Sequence, residues 1–162
     1  MSLNGLSSAT GPNGTGRDNR SEVYGTDLYL KWRPITWQSS QMLALQTEWL
    51  YRRSQVPSSV LHDVSGYASL AYRFAQRWGV AGRFEYGSPA ESAVGADVID
   101  DLDPSWTEER TRTSVNFTFW PSEFSRIRLQ GSMDRPAWLP DPVWAMFLAF
   151  EVVTGAHGAH AF

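Results

Sequence analysis

The feature that most constrains the fold is an alternation of apolar and polar side chains, which recurs in seven segments of the chain. In the first segment, Leu28, Leu30 and Trp32 alternate with Asp27 and Lys31. Because successive side chains of a β-strand point to opposite faces of the sheet, a period of two residues indicates strands with one apolar and one charged face. The sequence therefore predicts an all-β fold of about seven antiparallel strands, each near the ~9 to 11 residues that cross a bilayer with tilt.

The connections between these segments are predicted to alternate in length. Tight turns are predicted at residues 33–36, 75–78 and 120–123, and long polar links at residues 54–63, 88–108 and 134–142. Outer-membrane barrels combine short periplasmic turns with long extracellular loops in this way. The pattern therefore favours a transmembrane β-barrel segment. Single-chain bacterial barrels have an even number of strands from about eight upward, so seven strands indicate part of a larger barrel.

Aromatic residues, which make up 14% of the chain, concentrate at the ends of the predicted strands. Trp and Tyr collect at both membrane interfaces because their rings are amphipathic, so two aromatic girdles are expected. No run of about 18 apolar residues is present, which excludes a membrane-spanning helix. The girdle at the short turns would contain Trp32, Trp37, Phe74, Trp78, Phe119, Trp120 and Phe124, and the girdle at the long links Trp49, Tyr51, Tyr86, Trp106, Trp138 and Trp144.

The charged face of the strands is expected to line a wet lumen, because charges that face lipid cost about 2–4 kcal/mol each at mid-membrane. With Asp27 and Glu151 included, the sequence gives this face eight basic and four acidic residues, a surplus that favours anions. An alternative is that arginines and carboxylates simply pair across strands and fill space. The residues predicted to line the lumen are Lys31, Arg33, Glu48, Arg52, Arg73, Arg83, Glu85, Arg112, Arg126 and Arg128.

Several classes of function are disfavoured by composition. The chain has no cysteine, and its net charge of −3 argues against binding to nucleic acid. No serine, histidine and carboxylate motif suggests catalysis, so neither an enzyme nor a cofactor is expected. His157 and His160 are weak candidates for metal ligands by their spacing, but two imidazoles alone make half a site and no metal is predicted.

Three regions follow from these patterns. Residues 1–21 are rich in Gly, Ser and Asn and are predicted to form a flexible loop or arm, residues 22–154 carry the barrel strands, and residues 155–162 form a tail that ends in Phe162. The N-terminal region has no basic segment followed by an apolar core and so is not a signal peptide. We therefore expect the chain to be a fragment of a longer precursor.

The final segment, PVWAMFLAFEVVTGAHGAHAF, resembles the closing strand of bacterial outer-membrane β-barrels of porin-like or TonB-dependent-receptor-like type. The resemblance implies that the assembly machinery reads the C-terminal aromatic residue Phe162, with Phe150 and Trp144 in the same strand. It also implies a location in the bacterial outer membrane, with lipid, the assembly machinery and upstream strands of the parent chain as partners.

Three functions remain open at this stage. The first is a porin- or receptor-type barrel that passes or takes up small solutes, with anions favoured by an arginine-rich lumen. The second is a soluble β-barrel or sandwich that binds a ligand, with the apolar face turned inward. The third is a structural outer-membrane barrel whose lumen is filled. A requirement for detergent would separate the second from the other two.

Overall fold

A computed structural model describes residues 20–35, 40–56, 59–92 and 106–154. They form one antiparallel sheet, as the alternation predicts. Its strands are β1 (Ser21–Trp32), β2 (Met42–Val56), β3 (Ser59–Ala75), β4 (Trp78–Gly87), β5 (Glu91–Ser92), β6 (Arg110–Ser122), β7 (Ser125–Pro136) and β8 (Val143–Val152).

The seven long strands lie in the order β1-β2-β3-β4-β6-β7-β8, and the short β5 pairs with β3. Strands β1 and β8 are the two edges of this sheet and are not hydrogen-bonded to each other. The predicted all-β, antiparallel fold is confirmed, and within the described residues it is an open sheet. Across those residues no helix is long and apolar enough to span a membrane.

Register places the large apolar side chains of successive strands on one face, where the charged residues Glu22, Arg53 and Arg135 occur only toward the strand ends at links 57–58 and 137–142. One row on the apolar face runs through Leu30, Leu45, Leu70 and Gly82, and it continues into β6 at Val115. The corresponding polar rows lie one residue away in each strand. A shift of one residue in any pairing would exchange the two faces, so the shared period fixes this register.

The sheet curls with its polar face inward. A single concavity of about 780 Å³ is bounded by polar-face residues of β2, such as Gln46, and of β8, such as Ala145 and Phe147. In a flat sheet β2 and β8 would lie five strand spacings apart, about 24 Å. Residues of both strands bound one space because the polar face is concave, and the apolar face is therefore convex.

The convex face is exposed. On β8, Trp144, Met146 and Phe150 retain 71%, 78% and 68% of their accessible surface. Among the described residues the only buried hydrophobic ones are Ala44 and Leu61, although 42% of the whole chain is hydrophobic. No core of Trp, Phe, Leu and Met of the kind that a soluble sandwich requires is formed by these residues.

The connections differ from the predicted ones in several places. The turns at 76–77 and 123–124 are tight, as expected, but the link between β1 and β2 is longer than the predicted 33–36, because β1 ends at Trp32 and β2 begins at Met42. The link predicted at 54–63 is wrong, because alternation continues through it and β2 and β3 leave only residues 57–58 between them. The link predicted at 134–142 shortens to 137–142 for the same reason.

The connections define two ends of the sheet, a turn end and a loop end. The turn end carries the links at 33–41, 76–77 and 123–124, and the loop end carries those at 57–58, 88–109 and 137–142. The turn-end link is shorter than the loop-end link in two pairs, 76–77 with 88–109 and 123–124 with 137–142. In the remaining pair, 33–41 with 57–58, the turn-end link is the longer one. β2 and β3 are also longer than predicted, at 15 and 17 residues.

The predicted arm and tail lie mostly beyond the described residues. Ser21, the last residue of the predicted arm, already belongs to β1, and the carbonyl of Arg20 accepts a hydrogen bond from the backbone N–H of Gln55 at 2.7 Å. The rest of the arm and the tail at 155–162 fall outside the part of the chain that the structure describes.

Candidate functional site

The concave face forms a polar trough, which we define as the concavity of about 780 Å³ and its lining from β2 to β8. Small side chains in its middle row create the space: Ala44, Ala71 and Ala81 lie in register, followed by Asn116 and Gln130. Charged residues lie on both sides of this row. The trough is thus a wide, wet surface with polar groups at fixed positions.

A charged belt crosses the trough toward the loop end. It contains Arg83, Glu85, Arg110, Arg112 and Asp134. The Nε atom of Arg83 lies 2.6 Å from Glu85, and Arg112 reaches Glu85 at 3.7 Å and Asp134 at 2.7 Å. Arg110 donates from Nε to the other Asp134 oxygen at 2.9 Å. The belt therefore joins β4, β6 and β7 by continuous ion pairs.

Asp134 is the most enclosed member of the belt, with 9% of its surface exposed. Its carboxylate accepts hydrogen bonds from both Arg110 and Arg112. Hydrogen bonds between ionised groups are about twice as strong as neutral ones. Removing this carboxylate would leave two guanidinium groups without their shared acceptor.

Beyond the belt, the loop end holds a second, smaller pocket of about 320 Å³. Trp106 lies against Gly87 in this pocket, so that an added Cβ at Gly87 would come within 2.5 Å of the indole. The guanidinium of Arg110 lies 5.8 Å from the centre of the same ring, and the ring of Trp138 lies 6.0 Å away. Glycine at position 87 is thus what allows Trp106 to cover the pocket.

The turn end of the trough has a different character. The guanidinium carbon of Arg73 lies 4.8 Å from the centre of the Trp120 ring, and Arg73 also donates to the carbonyl of Gln76. Arg128 lines the same wall. The Nε atoms of Arg73 and Arg128 are buried, and no group in the part of the chain that the structure describes forms a hydrogen bond with them. These two residues are called the turn-end arginines below.

Nine of the ten residues predicted to line the lumen lie on the concave face, and Arg33 does not belong to a strand. Arg33 follows the end of β1 and donates to the Met42 sulfur at 3.6 Å. Two of the nine pair outside the belt, Arg52 with Asp63 and Arg126 with Glu151. By register, the nine are Lys31, Glu48, Arg52, Arg73, Arg83, Glu85, Arg112, Arg126 and Arg128.

The predicted lumen residues did not include three charged residues of the concave face, Asp63, Arg110 and Asp134. Each lies within or just beyond a stretch interpreted as a link. Extending the alternation by one or two residues would have found them, since Arg110 has the same parity as Arg112. With these residues, the strands of the concave face carry eight basic and six acidic groups, so the surplus is two and not four.

Of the residues predicted as an assembly signal, Trp144 and Phe150 lie on the convex face of β8. Phe162 and the histidines His157 and His160 fall outside the described residues. Within the described ranges, no group of three or more potential metal ligands is present. The girdle assignment of Trp120 is wrong, because its ring lies over Gly79 on the concave face.

The chain is similar to an uncharacterized protein of Aquifex aeolicus (strain VF5). The two are 32% identical over 158 aligned positions, which include 88% of this chain and 31% of the relative. The chain thus spans about a third of the length of this curated relative. No family model matches the chain, and no solved structure matches it.

Proposed function

We propose that the chain is part of the wall of a bacterial outer-membrane β-barrel of porin or receptor type, with the polar trough as the lumen. The observation that carries this proposal is the orientation of the faces: away from the loop end, the charged side chains of the strands lie on the concave face, and large apolar ones cover the exposed convex face. A transmembrane barrel has this arrangement, since its outward face meets lipid and its interior is polar.

A soluble sheet would bury its apolar face against a second layer. Among the described residues there is no such layer, and large rings and aliphatic chains of β1 and β8 are more than half exposed, including Tyr24, Leu30 and Leu148. Exposed apolar patches of this extent mark contact with a membrane or another protein. Lipid covers the whole convex face without needing a partner of matching shape.

The edges of the sheet support a larger barrel. In lipid, an unpaired strand edge leaves N–H and C=O groups unsatisfied, each at several kcal/mol. Strands β1 and β8 are unpaired with each other, so in a membrane they would pair with further strands. The similarity to a relative about three times as long as the matched region is consistent with such strands in a parent protein.

The trough suits passage or uptake of small polar solutes, because small residues in its middle row leave open space between charged rows. A structural barrel with a filled lumen is the second candidate. The charged belt favours it, since its arginines and carboxylates neutralise each other and occupy the loop end. Conductance of the complete barrel separates the two, and transport requires a measurable pore current with a modest preference for anions.

The membrane proposal is tested by whether the purified chain stays dispersed in buffer without detergent or lipid. We expect it to need detergent or lipid, and to float with phospholipid vesicles in a density gradient. The apolar convex face would otherwise aggregate in water. A stable monomer in detergent-free buffer that does not associate with vesicles would refute the proposal and favour a soluble ligand-binding protein.

A further inference from the structure

The turn-end arginines lie in one row of the sheet. The register runs from Arg73 to Gly79, then to Thr118 and to Arg128. At the usual strand spacing, the two arginine backbones are about 14 Å apart. Because this face is concave, side chains that project from it converge. Both arginines line the same concavity. Between them in the row lie Gly79, which the Trp120 indole covers, and Thr118, which is 5% exposed.

The arrangement around Trp120 restricts one of the two guanidinium groups. The indole lies over Gly79, where an added Cβ would come within 3.2 Å of the ring. Arg73 stacks against the same indole and donates to the carbonyl of Gln76. A guanidinium group held by an aromatic ring and a carbonyl loses less freedom when a ligand binds, and planar groups of this kind bind oxyanions through paired N–H groups.

Among the described residues, no ion pair joins a carboxylate to either turn-end arginine. On the concave face of the described strands, the belt carboxylate Glu85 lies six residues along β4 from Gly79, about 20 Å at the rise of a strand. Glu151 is nearer to Arg128, but Arg126 already binds it. The positive charges of the turn-end arginines are therefore not neutralised by ion pairs, whereas the charges of the belt are.

Both arginines also have an unused donor. Their Nε atoms are buried and find no hydrogen-bond partner among the described residues, although buried polar atoms in proteins are nearly always paired. An unpaired buried donor costs free energy that an acceptor from a ligand would recover. Positive charge and two donors that lack an acceptor thus border one concavity.

We infer that Arg73 and Arg128, with Trp120 as a platform, form a binding subsite for a small free oxyanion such as phosphate or a carboxylate. The inference names a solute class for the trough and in that respect rests on the proposed function. A free anion is favoured over a lipid headgroup because the subsite is on the concave face, opposite the apolar face that would meet lipid.

Binding is tested with the full chain in zwitterionic detergent micelles and inorganic phosphate as the probe. Thermal unfolding and tryptophan fluorescence are measured in sodium phosphate and in sodium chloride of equal ionic strength. We expect phosphate to raise the unfolding temperature more than chloride does. Arg73→Gln and Arg128→Gln should each weaken phosphate binding by about tenfold or more, as loss of a charge-assisted hydrogen bond implies.

The matched control is Arg126→Gln, which removes an arginine from the same end and face but one that is paired with Glu151. It should bind phosphate like the original chain. Arg73→Lys and Arg128→Lys keep the charge and should retain part of the affinity, which also covers the case in which a glutamine variant fails to fold. The inference is overturned if chloride matches phosphate, if Arg126→Gln loses binding equally, or if only added phosphatidylglycerol gives an effect.

This experiment does not depend on insertion into a bilayer. Absence of phosphate binding in a chain that floats with vesicles would overturn the anion subsite alone. Phosphate binding by a chain that is monomeric in plain buffer would instead retain the subsite and refute the membrane proposal.

Discussion

Gly66 of β3 lies directly beneath the indole of Trp49 of β2 on the convex face. The two residues are paired in register, and a Cβ added to Gly66 would come within 2.6 Å of the ring and of the Glu48 carbonyl oxygen. Glycine therefore allows the indole to lie flat on the sheet. We expect Gly66→Ala to lower the free energy of unfolding by about 1–3 kcal/mol, the usual cost of overpacking, as measured by urea unfolding in detergent micelles.

The control for this substitution is Gly82→Ala, on the same face in β4. No atom lies within 4 Å of a Cβ built at Gly82. This variant should be neutral or more stable by up to about 1 kcal/mol, because glycine weakens a strand interior. Equal destabilisation by the two substitutions would contradict the placement of Trp49 over Gly66.

Asp134 is expected to contribute more to stability than an exposed carboxylate on the same strand pair. Asp134→Asn should cost about 1–3 kcal/mol, since it weakens hydrogen bonds from two arginines at a site that is 9% exposed. Glu151→Gln, which breaks a pair whose carboxylate side chain is 45% exposed, should cost about 0–1 kcal/mol. Urea unfolding at neutral pH measures both, and a larger loss for Glu151→Gln would show that the belt is not a stabilising network.

Leu129 and Gln130 are neighbours in β7 on opposite faces, and they test which face meets lipid. Leu129 lies on the convex face between Phe117 and Leu148, whereas Gln130 lines the trough. In vesicles, Leu129→Arg should cost about 2–4 kcal/mol of folding free energy if it lies near the bilayer midplane, and Gln130→Arg should cost little. Unfolding by urea from lipid vesicles gives both values, and a greater loss for Gln130→Arg would reverse the assignment of the faces.

Much of the fold could be predicted from the sequence because a period of two residues is a local property. The assignment of Leu28 and Trp32 to one face and of Asp27 to the other required only their spacing, and the register preserves that division across the sheet. Strand ends were less predictable. Polar residues such as Ser54 were assigned to a link, although Ser54 belongs to β2 and pairs with Leu61 of β3.

The details of the site depend on pairings that no single segment contains. Asp134 meets Arg110 and Arg112 only through the register of β6 with β7, so its role was not visible in the sequence. The stacking of Arg73 on Trp120 likewise joins β3 to β6. The direction of curvature is also a property of the whole sheet, and alternation alone is compatible with either face inside.

Two single-tryptophan variants test whether the apolar face meets lipid and the polar face lines a lumen. One retains Trp78, on the convex face at the turn end, and the other retains Trp120, at the same end on the concave face; the other seven of the eight tryptophans are replaced by phenylalanine. Each is placed in vesicles whose acyl chains carry bromine, a short-range quencher of indole fluorescence. We expect strong quenching of Trp78 and weak quenching of Trp120. Stronger quenching of Trp120 than of Trp78, or no quenching of either, would show that the apolar face does not meet lipid.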